Sequence, residues 1–393
     1  MTRRSLELRP FRGLRFDPAV VGDLGSVVSP PYDVLDAAIV QQLEHANRHN
    51  VVRLILSRYF EPPYRAVRKR LERWREQGYL RADEHPALYL YEYSVDGATV
   101  RGLIGLVALR APEERVILPH EDVMPGPVSD RTLLMRTTET NLEPILLVHT
   151  GSPALHERYQ RIRARPPLAD FTALDGSSHR LWAMTDPAEV ADMSSAVAGD
   201  RALIADGHHR YAAYLTLQQE LAGASDSPWN YGLAMLVADD GAGLEIGPIH
   251  RVVRGLTLRD VEEVAHERGD SLEPCAATER LERDAATITF LVSDGDSWGR
   301  LTLPRTHDVD AAVLHDELLP AWHVAEDQIS YHHSLDQAVR VTQREPSVLV
   351  VVDPPPLLAV ITAAAEGRRL PRKSTSFSPK PRMGVVMRDL RDD

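Results

Sequence analysis

Residues 201–211 read RALIADGHHRY, an apolar run that ends in Asp206-Gly207 and is followed at once by two histidines and an arginine. The run Arg201–Ala205 predicts a buried strand, and the residues from His208 to Leu221 predict a helix. The glycine between them supplies the backbone freedom that a tight turn needs. Short elements of both kinds recur along the rest of the chain. We therefore predict an α+β, or mixed α/β, fold.

The start of the helix after Asp206 has the features of a phosphate site. A helix N-terminus presents unpaired backbone N–H groups and the positive end of the helix dipole. His208, His209 and Arg210 add two imidazoles and a guanidinium, and Asp206 is placed to bind Mg²⁺ or to orient a hydroxyl. We predict that these side chains and Gly207 surround a phosphate. The alternative is a capping aspartate followed by surface histidines.

A second candidate site lies in the proline-rich stretch 118–127, LPHEDVMPGP. His120, Glu121 and Asp122 lie between prolines, which stiffen the backbone and so direct the acidic side chains. Met124 stands where a His-Glu-x-x-His zinc motif would need its second histidine, so the stretch is not that motif. We interpret Glu121 as a general base or a metal ligand, with a solvated loop as the alternative.

Weaker candidates lie elsewhere in the chain. Tyr32 and Asp33 follow two prolines and predict either a substrate contact or a rigid turn. His250 and Arg251 form another histidine–arginine pair and are candidates for substrate binding, as is His120. The basic segment 369–380 is able to cover an anion, and its candidate phosphate-binding residues are Arg372, Lys373 and Ser374. It is not a P-loop, because an arginine replaces the second glycine of Gly-x-x-x-x-Gly-Lys-Ser.

Composition limits the partners and the location. The chain of 393 residues has a formal net charge of −12, so we expect it to bind neither nucleic acid nor anionic membranes. Any anionic ligand must then be held locally, and lysine is present only as Lys69, Lys373 and Lys380. Cys275 is the only cysteine, which excludes an intramolecular disulfide and predicts a cytoplasmic location. Apolar runs fall far short of the ~20 residues of a membrane span, and the first ten residues lack the apolar stretch typical of a signal peptide, so we expect no membrane location.

The length predicts two or three domains of roughly 100–200 residues each, or one large core with additions. We divide the chain into an N-terminal mixed α/β region at 1–95, a core at 96–240 with an insertion at about 151–200, and a C-terminal α/β region at 241–393.

Several local elements are predicted as well. The clearest is a hairpin of Leu88–Val95 and Val100–Leu109, because the intervening Asp96-Gly97 favours a tight turn. Val51–Leu56 predicts a strand. Pro62 and Pro63 predict the start of a helix that stops at Gly78, and Ser129 predicts the N-cap of another helix.

A series of motifs resembles, in the same order and nearly from end to end, the bacterial and archaeal family catalogued as domain of unknown function 1015. They are PFRGL at 10–14, SPPYDV at 29–34, NVVRL at 50–54, LPHE at 118–121, NLEPI at 141–145, DGHHR at 206–210 and RKST at 372–375.

A narrower resemblance concerns chemistry. His-Glu, Pro-Ile and Asp-Gly-His-His-Arg, in that order and each beside a short predicted strand, are similar to the free serine kinases of the ParB/sulfiredoxin superfamily. The resemblance implies a ParB-like core that transfers a phosphoryl group from a nucleotide, with Mg²⁺. It implies that Glu121 is the general base, that Asp206 helps to bind metal or substrate, and that His208, His209 and Arg210 surround the phosphates.

We therefore predict a nucleotide- and Mg²⁺-dependent kinase that phosphorylates the hydroxyl of a small molecule, with free L-serine or a related amino acid as the candidate acceptor. ATP or ADP is the expected donor, and Glu121 and Asp206 are the expected metal ligands. Two alternatives stay open. One is a ParB-like module that binds or hydrolyses nucleotide as a regulator. The other is a metal-dependent hydrolase with His120, Glu121, His208 and His209 as ligands.

Overall fold

A computed structural model describes residues 5–56, 63–239, 243–277 and 284–392. It has the mixed α/β character that the sequence predicts. The chain divides into two compact units. Unit 1 consists of Met1–Pro119, Val123–Leu244 and Pro379–Asp393, and unit 2 of His120–Asp122 and Glu245–Ser378.

The strands, numbered in chain order, are β1 Leu8–Arg9, β2 Gly13–Phe16, β3 Leu80–Ala82, β4 Leu88–Val95, β5 Ala98–Ala108, β6 Ile117–Leu118, β7 Thr140–Asn141, β8 Ile145–His149, β9 Ala169–Thr172, β10 Ser178–Met184, β11 Ala202–Asp206, β12 Tyr231–Ala238, β13 Glu245–Gly247, β14 His250–Arg254, β15 Ser271–Pro274, β16 Thr287–Ser293, β17 Trp298–Pro304, β18 Ile329–His332, β19 Ser347–Val351, β20 Ser376–Ser378 and β21 Met387–Asp389. The α-helices are α1 Pro18–Val21, α2 Ala37–Ala46, α3 Val52–Ile55, α4 Pro63–Glu76, α5 Pro125–Thr138, α6 Pro153–Arg163, α7 Pro187–Val197, α8 His208–Leu221, α9 Leu258–Arg268, α10 Asp310–Val313, α11 Leu319–Ala321, α12 Leu335–Thr342 and α13 Leu357–Ala365. A π-helical turn, Leu314–Leu318, joins α10 to α11.

Unit 1 is built on a large mixed sheet in the order β6-β11-β8-β12-β5-β4-β10-β9, with β1 added beside β5. β11 runs antiparallel to β8, and β8 runs parallel to β12. The strands β8, β11 and β12 are almost wholly buried and read as continuous apolar runs, as expected for strands covered on both faces. They form a rigid support for the turn that follows β11.

The C-terminal segment returns to unit 1. β21 pairs with β2 and with β7, which makes a second sheet in the order β3-β2-β21-β7. These backbone pairings explain why residues after 378 group with the N-terminal half and not with the rest of the predicted region 241–393. The same return brings Lys380 and Arg382 into unit 1.

Unit 2 contains an antiparallel six-stranded sheet in the order β15-β17-β16-β19-β14-β18. Helix α12 packs on β19 and β14, where Val252, Ala338 and Leu349 are fully buried. Strands β13 and β20 pair with each other in a separate two-stranded sheet. In the sequence, β13 precedes and β20 follows the strands of the six-stranded sheet. Strand β14, which lies next to the edge strand β18, carries His250 and Arg251.

The predicted hairpin is confirmed as β4 and β5. Asp96 and Gly97 have φ values of 49° and 86°, so both central residues are left-handed, as a type I′ turn requires. Helix α8 has the predicted bounds, and α4 begins at Pro63. Pro62 lies outside the described residues. Among the described residues, no helix has both the length and the apolar character to cross a bilayer.

Two local predictions are wrong. Val51–Leu56 is not a strand, because Val52–Ile55 forms the short helix α3. The Asn50 side chain accepts a hydrogen bond from Val52 N and so starts this turn, and a short apolar run does not separate helix from strand by its periodicity. The helix assigned to Ser129 begins earlier, at Pro125, because prolines are accommodated in a first helical turn.

Residues 151–200, predicted as an insertion, contain α6, β9, β10 and α7. β10 pairs along its whole length with β4. This segment therefore contributes two strands to the central sheet.

Candidate functional site

The turn between β11 and α8 has the geometry that the sequence predicts. β11 ends at Asp206, and α8 begins at His208. Gly207 between them is left-handed, with φ 96° and ψ 28°. A Cβ at this position would lie 2.9 Å from Ile145 Cγ2 and 3.1 Å from the Arg210 guanidinium carbon. The position therefore requires glycine on two grounds, backbone conformation and space.

Replacing Gly207 by alanine is expected to lower the free energy of unfolding by about 1–3 kcal/mol, because the left-handed backbone and the close contacts both oppose a Cβ. Urea denaturation of the purified variant measures the loss. Gly199→Ala is the matched control, since a Cβ there meets nothing within 4 Å. Equal stability of the two variants would contradict the assigned strain.

Asp206 is the charged centre of this turn. Its Oδ1 lies 2.6 Å from Lys380 Nζ, and its Oδ2 lies 2.5 Å from Arg210 Nη2. Burial raises the pKa of the Asp206 carboxyl, but the charges of Lys380 and Arg210 outweigh burial and hold that pKa below its usual value. Asp206 is therefore a carboxylate held between two cations.

Arg210 is buried, with 3% of its surface exposed. Besides Asp206, its guanidinium donates to the Pro144 carbonyl and lies 3.5 Å from Glu143 Oε2. The motifs at 141–145 and 206–210 thus meet through this side chain. The predicted contact between Arg210 and a phosphate stays a prediction, whereas its present contacts make it a brace for the turn.

Two other predicted residues, His208 and His209, lie at the same turn, and Tyr32 lies near it. His208 and His209 are half-buried, and His209 Nε2 accepts a hydrogen bond from Met124 N at 3.1 Å. The Tyr32 ring lies within electrostatic reach of Arg210 and Asp206, and burial raises the pKa of its hydroxyl. The structure describes the backbone of Asp33 but not its side chain.

Glu121 belongs to unit 2, where three donors converge on one of its oxygens. Glu121 Oε1 accepts from Ser374 N at 3.1 Å, from Thr375 N at 3.1 Å and from Thr375 Oγ1 at 3.2 Å. The ring of His120 is buried beside it, with Nε2 at 2.7 Å from Thr375 Oγ1. Leu370 N donates to the His120 carbonyl at 2.7 Å. The predicted residues of segments 118–127 and 369–380 therefore meet within one unit.

Arg251 supports the same segment from β14. It is 1% exposed, and its Nη2 donates to the Lys373 carbonyl at 3.0 Å. Its Nε donates to His315 Nε2 at 3.3 Å. Burial lowers the pKa of Arg251 to about 10. Arg372 lies 3.3 Å from Glu326, and both side chains are about half exposed.

The donor set does not fit a resident Mg²⁺ ion. Each oxygen of Asp206 already contacts a cation, and a metal there would have to displace Lys380. Glu121 Oε1 is held by three hydrogen-bond donors. Across the described ranges, no three His, Cys, Asp or Glu side chains cluster as metal ligands, although Mg²⁺ is commonly held by one or two carboxylates and substrate phosphates.

A family model described as a protein of unknown function, DUF1015, matches residues 8–326. The chain belongs to the DUF1015 family. This finding confirms the resemblance that the ordered motifs indicate. None of the curated proteins compared with this DUF1015 chain matches it.

Several solved structures are similar to this DUF1015 chain at low identity. One is a free serine kinase mutant in complex with AMP, with 13% identity, a TM-score of 0.41 and coverage of 73% of this chain and 92% of that chain. SbnI with a C-terminal truncation, from Staphylococcus aureus, has 13% identity, a TM-score of 0.41 and coverage of 74% and 90%. A conserved hypothetical protein from Pyrococcus furiosus has 14% identity, a TM-score of 0.39 and coverage of 74% and 96%.

Lys380 and Thr375 belong to the segment 369–380 that is predicted to cover an anion but, like Glu143, they are not among the individually predicted site residues. A signal for Lys380 exists, because lysine is so scarce in this DUF1015 chain that two of its three lysines fall in segment 373–380. Glu143 and Thr375 give no comparable signal. Each acquires its role only when distant segments meet.

Three histidines, of which His179 and His250 are buried and His315 is half-buried, are expected to make the stability of this DUF1015 protein pH-dependent. Burial lowers the pKa of His179, His250 and His315 from 6.5 to about 4. Between pH 6.5 and pH 4 these histidines bind protons in the unfolded chain but not in the folded protein. The free energy of unfolding therefore has its full value above pH 6.5 and decreases as the pH falls towards 4. We expect a loss of about 1.4 kcal/mol per pH unit for each histidine.

Urea titrations at pH 7, 6 and 5 measure this dependence. His315→Gln should reduce the slope of stability against pH, whereas the exposed His85→Gln should not. A slope that is the same in both variants would show that the His315 ring does not control acid stability.

Proposed function

We propose that this DUF1015 protein is a nucleotide-dependent kinase that phosphorylates the hydroxyl group of a small molecule. Free L-serine and related hydroxy amino acids are the first acceptors to test. The observation that carries the proposal is the β11–α8 turn, where the N-terminus of a 14-residue helix follows a left-handed glycine and has a lysine ammonium and two histidines around it. Backbone N–H groups and such cations bind phosphates.

In this proposal some residues of the turn bind the phosphates, and Arg210 positions the turn. Lys380, His208 and His209 bind the phosphates of ATP or ADP together with the first N–H groups of α8. Arg210 fixes Asp206 and the loop at Pro144, so that the donors are positioned before the ligand arrives. Phosphoryl transfer asks for little covalent chemistry from a protein, and such preorganised charge supplies much of the rate enhancement.

Glu121 is assigned the role of general base. Its carboxylate takes the proton of the acceptor hydroxyl as the hydroxyl oxygen attacks the terminal phosphorus of the nucleotide. The new phosphorus–oxygen bond forms as the bond to the leaving nucleotide breaks, which releases ADP from ATP or AMP from ADP. The assignment is supported by the motif resemblance and by the three donors that fix one Glu121 oxygen.

The proposal is tested by incubating the full chain with ATP or ADP, supplied with Mg²⁺, and a mixture of hydroxyl-bearing amino acids and hydroxy acids. Mass spectrometry identifies any acceptor that gains a phosphoryl group. The expected result is one dominant phosphorylated product. A nucleotide that stays intact with every acceptor would overturn the kinase assignment.

A regulatory nucleotide-binding module is the second candidate. The observation that favours it is the pairing of Asp206 with two cations. Because both Asp206 oxygens are occupied, the β11–α8 turn offers phosphate donors but no open carboxylate oxygen for a metal ion. This reading expects nucleotide binding without transfer to any acceptor, and binding that is unaffected by Glu121→Gln. Titration calorimetry on the wild type, together with the acceptor assay above, separates the two functions, because a regulatory module binds the nucleotide but forms no phosphorylated acceptor.

A further inference from the structure

The backbone around Lys373 forms a concave cluster of N–H groups within unit 2. Lys373 is left-handed, with a φ of 60°, a conformation that is uncommon for a residue with a side chain. The two N–H groups that follow, those of Ser374 and Thr375, point at one oxygen of Glu121, each at 3.1 Å. Successive N–H groups arranged in this way bind anions in many proteins. We call residues 373–375 the nest.

Positive charge lies behind the nest. Arg251 donates to the carbonyl of Lys373 and also lies over the Tyr331 ring at 5.3 Å. It is 1% exposed, yet within the part of the chain that the structure describes no carboxylate forms an ion pair with it. A buried cation without a direct anionic partner is costly unless a nearby anion compensates it. The Glu121 carboxylate is within electrostatic reach of Arg251 and supplies part of that compensation.

The nest is accessible from solvent. The Glu121 side chain that fills it is 15% exposed, and Arg372 and Lys373 at its edge are exposed. The Arg372–Glu326 pair has a separation of 3.3 Å with about half of each side chain in solvent. Pairs of this kind are worth little, so Arg372 is able to turn towards an incoming anion.

We propose that the nest is a binding site for an oxyanion of the phosphate class and that the Glu121 carboxylate fills it in the absence of ligand. An external phosphate then competes with an internal carboxylate for the same donors, the N–H groups of Ser374 and Thr375 and the Thr375 hydroxyl. This inference concerns binding alone. Its one consequence for catalysis rests on the proposed function: a phosphate in the nest releases Glu121, and a carboxylate that loses hydrogen bonds to its charged form becomes a stronger base.

The test is a titration of the full chain with inorganic phosphate at constant ionic strength, without nucleotide. Calorimetry gives the affinity, and amide NMR signals of Ser374 and Thr375 report on the nest. We expect Glu121→Ala to bind phosphate at least about tenfold more tightly than the wild type, because the competing carboxylate is gone. Glu121→Gln should lie between them. Glu366→Ala, which removes an exposed glutamate of the same unit, should leave the affinity unchanged.

Two further titrations identify the site and the ligand class. Arg251→Gln in the Glu121→Ala background should weaken phosphate binding, since the charge behind the nest is lost. Acetate in place of phosphate should bind more weakly, because a tetrahedral oxyanion has more acceptor oxygens for the three donors.

Several outcomes would overturn the inference. Equal phosphate affinity in the wild type and Glu121→Ala is one, and tighter binding of acetate than of phosphate is another. If Glu121→Ala does not fold, amide shifts of Ser374 and Thr375 in the wild type decide the question, and shifts confined to residues 207–210 would count against the nest. The kinase assay can fail while this competition is observed, and the reverse also holds, so the two proposals fail separately.

Discussion

Replacing Arg210 by alanine is expected to lower the free energy of unfolding by about 3–5 kcal/mol, because the change removes a buried cation that contacts the carboxylates of Glu143 and Asp206. Glu143 is 5% exposed, and its Oε2 lies 3.5 Å from the guanidinium. Asp206 would keep Lys380 but lose its contact with Arg210. The Pro144 carbonyl would lose a donor as well. Urea denaturation at pH 7 measures the effect.

The control for this prediction is Arg136→Ala. Arg136 also pairs with a glutamate in unit 1, but 44% of its side chain is exposed, as is 46% of that of Glu220. We expect a change within about 1 kcal/mol for this exposed pair. If Arg210→Ala were as stable as the wild type and lost only its affinity for nucleotide, Arg210 would be a ligand contact and not a brace.

Replacing Glu121 by glutamine is expected to reduce kcat by about 10²–10⁴-fold, the usual contribution of a general base. Glutamine keeps the shape of the side chain and retains a carbonyl oxygen for the donors at Ser374 and Thr375, but it does not take the proton of the acceptor. The loss should fall on kcat, and nucleotide binding should not weaken. Steady-state kinetics with the acceptor identified by mass spectrometry measure both parameters.

Glu366→Gln is the matched control for that variant, since Glu366 is 55% exposed in the same unit and pairs only with the neighbouring Arg368 among the described residues. Its kcat should equal that of the wild type. Full turnover in Glu121→Gln would remove the general base from the proposed mechanism, whatever the activity of the control.

Features that depend on neighbouring residues could be predicted from the sequence. The Asp96-Gly97 turn and the β11–α8 turn both follow from local conformational demands, namely two left-handed residues in one case and a single glycine before a helix in the other. The strand prediction at Val51–Leu56 was wrong because a short apolar run suits either a helix or a strand, and Val52–Ile55 forms a helix.

Features that depend on distant pairing could not be predicted. Lys380 reaches Asp206 across 174 residues, and Ser374 reaches Glu121 across 253 residues. The return of β21 to β2 and β7 makes the first of these contacts feasible, and no short-range pattern encodes that return. The burial of Arg210 likewise depends on Glu143 and Pro144, which precede it by a whole α/β segment.

In the function proposed above, this DUF1015 protein transfers a phosphoryl group from a nucleotide to a small-molecule hydroxyl. Phosphorus NMR of one reaction mixture, with wild-type protein, Mg²⁺, ATP or ADP and L-serine or the acceptor found by mass spectrometry, tests it most directly. We expect a new phosphomonoester signal that grows as the nucleotide signal falls, and that grows about 10²–10⁴-fold more slowly with Glu121→Gln. Release of inorganic phosphate alone, or a phosphomonoester formed equally by both proteins, would contradict it.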